Sequence, residues 1–436
     1  MTESISHQRV LKIAVPIVIS NATVPILGAV DTGVVGQMGL AAPIGAVGIG
    51  AIILTAFYWL FGFLRMGTVG LTSQALGQGD HREVGALLSR GLLIGGVAGM
   101  VIFVLQIPLF AVSFWVSPAS AEVEGLAREY MQIRVLSAPA AIAMYGITGW
   151  LIAQERTKAV LAIQFTMNAL NIILDLLFVI GFDWGVQGVA FATFIAEWVG
   201  FVFALWLCRA AFKTPYWNDW PSVFDRARLK NMMLVNSDIM IRSILLEAAF
   251  VSFLFLGARF DDVTLAANQI LIQFLHVTAF GLDGFAFAAE ALVGQAMGAR
   301  NQTALKRSAY LTSLWGGIIC LGLGVVFWFA GGVIIDLMSS APEVQAEARS
   351  YLIWMTLAPI AGIAAWMLDG IFIGATRTRD MRNMMLISSA FYAVVVMILL
   401  PILGNHGLWI SLLLFFVMRG VTLGWKYPGL VAAAAK

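Results

Sequence analysis

The chain has 436 residues, of which 60% are apolar and 11% are charged, and its formal net charge is +2. A soluble globular protein carries roughly 25% charged residues, so this composition excludes a soluble fold and predicts a chain embedded in a lipid bilayer. The nearly balanced charge argues against a nucleic-acid partner.

Twelve apolar stretches are long enough to cross the hydrocarbon core of a bilayer. They lie near residues 11–34, 44–76, 86–115, 122–152, 158–181, 187–212, 227–257, 262–297, 303–338, 342–374, 382–402 and 406–427. Arg9 and Lys12 lie at the start of the first stretch as in a signal peptide, but the stretch is too long and lacks a cleavage pattern around Asp31. We therefore interpret it as a retained span, and the sequence predicts an all-α integral membrane protein.

The two halves of the chain repeat each other at an offset of about 221 residues. The segment Ser73–Gly77 returns as Gly294–Gly298, and further matched positions follow in the later spans. Six spans per half is an even number, so both halves enter the membrane in the same direction. We predict two six-helix bundles related by a pseudo-twofold axis along the membrane normal, a scaffold typical of secondary transporters. The predicted parts are an amino-terminal lobe over 1–212, a cytoplasmic linker over 213–230 and a carboxyl-terminal lobe over 231–436.

The basic residues predict the orientation of the spans. With both termini in the cytoplasm, about 19 Lys and Arg residues lie on that side, against about 4 on the other. The four on the opposite side are Arg128, Arg134, Arg259 and Arg349. This bias predicts cytoplasmic termini and a cytoplasmic linker.

Ionisable side chains inside spans are costly, so each of them suggests a functional site. Asp31 lies late in the first span, while Asn168, Asn171 and Asp175 share one face of the fifth, and Thr193 and Glu197 share one face of the sixth. Asp31, Asn171, Asp175 and Thr193 together would offer two carboxylates and hard oxygen ligands, which suit a proton or a sodium ion. Structural hydrogen bonds between helices are the alternative.

The carboxyl-terminal half has polar groups of its own. Its candidates for a polar cavity are Glu247, Asp283, Glu290 and Asp369, of which Glu290 could be solvated at a helix end. Asp238 and Arg242 are spaced i, i+4 and are predicted to pair with each other. Arg65 and Arg419 are predicted to snorkel or to make contacts between lobes. Scattered histidines, and cysteines at 208 and 320 in apolar stretches, predict neither a transition-metal site nor a disulfide.

Three segments, Val24–Thr32, Asn168–Asp175 and Asp369–Arg377, resemble the MATE multidrug exporters, and the DinF-like branch most closely. Asn236–Arg242 and Leu282–Ala286 extend this resemblance, which runs over essentially the whole chain. It implies cation-coupled export of organic cations and other amphipathic compounds by alternating access, from a monomer in the inner membrane and without a cofactor.

The resemblance also implies roles for individual residues. It maps the ion-coupling site onto Asp31, Asn171, Asp175 and Thr193, and it favours protons over sodium. It implies that the first span bends at a proline, for which Pro16 and Pro25 are the candidates because each removes a backbone hydrogen bond. Asn168, Glu197, Glu247, Asp283 and Asp369 are predicted to add polar groups to the cavities.

The same residues leave alternative functions open. A sodium-coupled exporter is one alternative, and a lipid-linked precursor flippase on the same scaffold is another, although the latter would favour a strongly cationic cavity. An intramembrane aspartyl protease would need a Gly-x-Gly-Asp motif, whereas Gly281-Leu282-Asp283-Gly284 has the wrong order. With no Ser/His or metal constellation in its place, we predict that the chain is not an enzyme. A channel is disfavoured because the duplication carries an ion pocket in one lobe only.

Overall fold

The computed structural model describes residues 5–37, 41–116 and 120–435, and for Ala29, Asp31, Thr32 and Ala41 it describes the backbone only. Throughout these ranges the regular elements are helices, and no strand occurs. They are α1 His7–Gly36, α2 Ala41–Trp59, α3 Phe63–Gln78, α4 His81–Val104, α5 Gln106–Val116, α6 Ala121–Arg134, α7 Ala138–Ala153, α8 Thr157–Asp175, α9 Gly185–Leu207, α10 Arg209–Phe212, α11 Trp220–Val223, α12 Arg226–Gly257, α13 Asp262–Gly298, α14 Gln302–Met338, α15 Pro342–Gly374 and α16 Thr378–Ala433.

Eleven helical segments of the described chain are long and apolar enough to cross a membrane. The longest of them is α16, whose 56 residues include a non-helical backbone at Gly404, with φ 55° and ψ −133°. Gly404 divides α16 into two helices that each exceed the roughly 20 residues needed to span a bilayer. The described part of the chain therefore contains twelve helical spans, which confirms the predicted all-α membrane fold.

Several predicted spans are interrupted where the sequence suggests a single helix. The span near 122–152 consists of α6, a 3₁₀ turn at Val135–Ser137 and then α7. Pro139 lies in the first turn of α7, where its missing N–H costs little, so the proline marks a new helix start. At the matching position of the other half, α15 continues through Pro359. The chain therefore begins a new helix at Pro139, whereas in the other half the helix continues through Pro359.

The described chain divides into two compact units. One contains Met1–Val18, Ser73–Gly79 and Asn231–Lys436, and the other contains Ile19–Thr72 and Asp80–Lys230. The core of the first is built around side chains such as Phe253 and Trp409, whose ring centroids lie 4.4 Å apart. The core of the second includes Tyr130, Met131 and Ile142. Helices α1 and α3 each contribute residues to both units.

The duplication is visible in the backbone as well as in the sequence. Besides Gly185, the described residues with positive φ form three pairs, and the members of each pair lie 221 positions apart. The pairs are Gly79 and Arg300, Glu155 and Thr376, and Asp183 and Gly404. A positive φ is uncommon for residues other than glycine. The two halves therefore share a positive φ at the same repeat positions.

The repeated segments also contact each other, at the ends of α3 and α13. A Cβ atom added to Gly77 would collide with the backbone carbonyl of Gln295, and one added to Gly298 would collide with the carbonyl of Gln74. These contacts are reciprocal, because Gln295 and Gly298 are the repeat counterparts of Gln74 and Gly77. Gln74 Nε2 further donates to Thr376 Oγ1 at 2.9 Å. Glycine is required here because two backbones approach each other directly.

The segment predicted as a linker is held against α4. The buried Arg90 side chain donates from Nε to the Val223 carbonyl at 2.8 Å, and from Nη2 to the Ser222 carbonyl. Glu83 neutralises the guanidinium at 2.6 Å. Arg82 and Asp219 make a second ion pair, and this guanidinium lowers the pKa of the Asp219 carboxyl. The segment is therefore a docked part of its unit and not a free tether.

Candidate functional site

The polar face of α8 is buried, as its helical spacing predicts. Asp175 is 0% exposed and Asn171 is 1% exposed. Asn171 Nδ2 donates to Asp175 Oδ2 at 2.8 Å and lies 3.4 Å from Thr193 Oγ1 on α9. Thr193 in turn donates to the Val189 carbonyl at 3.1 Å. Three of the four residues predicted for ion coupling therefore lie together, and they offer oxygen atoms and a carboxylate.

The fourth residue, Asp31, has a helical backbone in α1, and its side chain lies outside the described residues. The nearby contact between α1 and α8 is made one turn earlier on α8, by Asn168. Its Nδ2 donates to Thr23 Oγ1 at 2.7 Å, and its Oδ1 accepts from Gln164 Nε2 at 2.9 Å. Asn168 therefore joins α8 to α1.

A π-helix follows the site immediately. Leu176–Gly181 continues α8 in this wider form, directly after Asp175. The ring of Phe178 in this segment stacks on that of Trp184, with centroids 4.8 Å apart. Single π-helical turns inside α-helices are rare and frequently mark functional sites. No pattern in the sequence signalled this turn, and it places an irregular backbone beside a buried carboxylate.

The predicted cavity residue Glu197 is part of a separate ion pair. Its Oε1 accepts from Arg134 Nη2 at 2.9 Å, and its Oε2 accepts a hydrogen bond from Ser137. Arg134 also donates to the Tyr130 hydroxyl at 2.7 Å. Glu197 shares a helix with Thr193, but its contacts fix the turn between α6 and α7. They correspond to the structural alternative considered for this residue.

In the carboxyl-terminal half the predicted pairing of Asp238 with Arg242 is wrong. Asp238 accepts from Arg382 Nη1 at 2.6 Å and from Thr378 Oγ1 at 3.1 Å. Arg242 pairs instead with Asp369 on α15. The spacing i, i+4 places two residues on one helix face, but partners on neighbouring helices compete for them. Here α15 and α16 supply the better-placed groups.

Arg419 and Glu290 also depart from expectation. Arg419 does not snorkel to the surface, because it is buried and pairs with Asp369. Glu290 is only 2% exposed, so it is not solvated at the helix end. Asp369 provides the buried Arg419 with an ionic partner inside the bundle, as the cost of an unpaired intramembrane charge requires.

The remaining predicted positions lie apart from one another. Glu247 is exposed and lines a cavity of about 360 Å³, whereas Asp283 is half-buried on α13 and does not line it. Pro16 and Pro25 both lie inside α1, which is continuous from His7 to Gly36. The two compact units divide this helix between Val18 and Ile19, and therefore between the two prolines. Bending at either proline remains a prediction.

A duplicated bundle of membrane-spanning helices with ionisable side chains buried inside its spans defines the class of secondary transporters. The MatE family model matches residues 16–177 and 239–399, one segment in each half of the chain. The chain belongs to the MatE family, whose members are membrane transporters and not enzymes. This confirms the family that the sequence segments resemble.

Two curated relatives and one solved structure illustrate the match. DNA damage-inducible protein F of Escherichia coli strain K12 is 38% identical, over 96% of this chain and 91% of its own length. A probable multidrug resistance protein NorM of Synechocystis is 25% identical, over 74% of this chain and 70% of its own. The outward-facing structure of a multidrug resistance MATE family transporter has a TM-score of 0.89 at 18% identity, covering 98% of this chain and 96% of that one. The last similarity shows a shared fold.

Proposed function

We propose that the chain exports organic cations and other amphipathic compounds in exchange for protons, by alternating access in the bacterial inner membrane. The observation that carries this proposal is the cluster of Asn171, Asp175 and Thr193 inside a family of transporters. A fully buried carboxylate can change its charge by taking up or releasing one proton. The free energy of that change depends strongly on the surroundings, so it can be linked to a conformational step.

The same cluster could hold a sodium ion through its oxygen atoms, and sodium coupling is the competing proposal. Protons are favoured because a single carboxylate with an amide donor is a sufficient proton site. A proton entering at 100 mV supplies roughly 2.3 kcal/mol, and each pH unit adds about 1.4 kcal/mol. Exchange of a proton for a neutral substrate would be driven by both the membrane potential and the pH gradient. Exchange of a proton for a monovalent cation is electroneutral and would be driven by the pH gradient alone.

Efflux from proteoliposomes containing the purified chain distinguishes the two ions. We expect an imposed pH gradient to drive export of an organic cation with no sodium present. A sodium gradient at equal pH should leave export at the rate of protein-free vesicles. Export that requires sodium and ignores the pH gradient would show that the coupling ion is sodium.

We further propose that α1 responds to protonation by bending near Pro16 or Pro25, with Asp31 as a second proton-binding group. The division of α1 supports this location, because its residues up to Val18 belong to one compact unit and those from Ile19 belong to the other. Proline weakens the helix there by removing a backbone hydrogen bond. Each proline is replaced by alanine in a separate variant, and we expect slower transport in the variant that lacks the proline at which α1 bends. Native transport rates in both variants would refute the hinge.

We also propose that both termini and the segment 213–230 are cytoplasmic, as the basic residues favour. Asn218 is exposed in this segment, whereas the native Cys208 and Cys320 are buried. In intact cells, a membrane-impermeant maleimide should fail to label Asn218→Cys and should label it after the cells are opened. Labelling before opening would invert the proposed orientation of every span.

A further inference from the structure

The carboxyl-terminal half contains a buried ionic cluster with more positive than negative charge. Arg242 on α12 and Arg419 on α16 both donate from Nη2 to the same oxygen, Oδ2 of Asp369 on α15. The three side chains belong to residues that are 7%, 2% and 4% exposed, respectively. One carboxylate therefore serves two guanidinium groups. A buried charge without full compensation is costly, so this cluster favours one further anion.

Hydrogen-bonding atoms of the cluster that have no partner also favour an additional anion. Among the described residues, no hydrogen-bond partner is found for Nε of Arg242, Nε of Arg419 or Oδ1 of Asp369. A buried N–H that makes no hydrogen bond loses its hydration without compensation. A guanidinium can engage a carboxylate through two N–H groups at once, and Asp369 reaches each arginine through one. Both arginines therefore have an N–H group that no described residue satisfies.

Arg419 also lines a cavity, which connects the cluster to a space that can admit a ligand. This cavity lies among α12, α13, α15 and α16 and has a volume of about 360 Å³, within the usual range for small-molecule sites. Phe250, Trp366 and Phe416 supply aromatic walls, while Glu247 and His276 supply polar groups elsewhere on the lining. The cavity thus combines a buried cation with flat apolar surfaces.

We propose that this cavity binds amphipathic anions, namely aromatic carboxylates or sulfonates. The acid group contacts Arg419 and acts as the second counter-ion beside Asp369, and the apolar body lies against Phe250, Trp366 and Phe416. Glu247 repels the acid group, so the ligand is oriented with that group toward Arg419. The inference rests on the exporter function proposed above and adds anions to its substrate class, and it can be tested by binding alone.

The test uses two probes with the same ring and opposite charge, naphthalene-2-sulfonate and 2-(aminomethyl)naphthalene. Binding to the purified full chain is measured by isothermal titration calorimetry. We expect the sulfonate to bind, and Arg419→Gln to weaken it at least about tenfold, because charge-assisted hydrogen bonds are lost. Arg419→Lys should recover part of the affinity, since it keeps the charge without the planar fork. The exposed Arg379, which lies in α16 before the break at Gly404, provides the control, and Arg379→Gln should bind the sulfonate as the native chain does.

Failure of the sulfonate to bind the native chain overturns the proposal, as does equal affinity in native and Arg419→Gln protein. If Arg419→Gln does not fold, Glu247→Gln tests the same site from an exposed position. We expect this variant to bind the sulfonate more tightly and the amine more weakly, because a negative charge leaves the cavity. An unchanged preference between the two probes would also overturn the site. Binding without transport in vesicles would instead contradict the exporter function and leave the anion site intact.

Discussion

Asp175→Asn is expected to reduce efflux driven by a pH gradient to the rate of protein-free vesicles. The carboxylate is fully buried and accepts a hydrogen bond from Asn171 at 2.8 Å. An amide of the same shape can still accept that bond, so we expect the fold to persist. It cannot bind and release a proton near neutral pH, so the coupling step is lost. Efflux is measured in proteoliposomes with matched amounts of protein, and thermal melting checks the fold.

Asp183→Asn is the matched control for this change. Asp183 is exposed and follows the π-helix, and its φ of 56° is one that asparagine tolerates well. We expect it to transport at the native rate. Asn171→Ala should lower the rate less than Asp175→Asn, because it removes a donor and leaves the carboxylate. Near-native efflux by Asp175→Asn would remove this residue from the coupling site.

Gly298→Ala is expected to destabilise the fold by about 1–3 kcal/mol, the usual effect of forcing an added carbon into a filled space. The new methyl group would collide with the backbone carbonyl of Gln74, and a backbone atom cannot rotate away as a flexible side chain can. The ends of α3 and α13 would have to separate. Thermal melting of the detergent-solubilised protein, followed by size-exclusion chromatography, measures the loss.

Gly317→Ala provides the control for the glycine experiment. Gly317 lies within α14, and an added Cβ would meet no atom within 4 Å. Alanine is a better helix former than glycine, so this variant should melt at the native temperature or slightly above it. Gly77→Ala should resemble Gly298→Ala, since the two contacts are reciprocal. If Gly298→Ala melts like Gly317→Ala, the close approach of the two helices is wrong.

The helical repeat explains which parts of the site could be predicted. Asn171 and Asp175 share a face because four residues make about one helical turn. Thr193 could be predicted because a polar group in an otherwise apolar helix needs a hydrogen-bond partner. The same reasoning failed for Arg242, whose partner Asp369 is 127 residues away in sequence. Periodicity reports which face a residue occupies and not which helix lies opposite. The π-helix after Asp175 could not be predicted from the sequence, because a run of apolar residues is compatible with both an α-helix and a π-helix.

The paired positive-φ residues show which local feature the two halves have in common. Four of the six paired positions hold Arg, Glu, Thr or Asp, where glycine would adopt the same backbone without strain. A left-handed backbone costs such residues about 1–2 kcal/mol each. Within each pair the two side chains differ, yet both halves have a positive φ at that position. The direction that the chain takes at these corners is therefore common to both halves, although the side chains there are not.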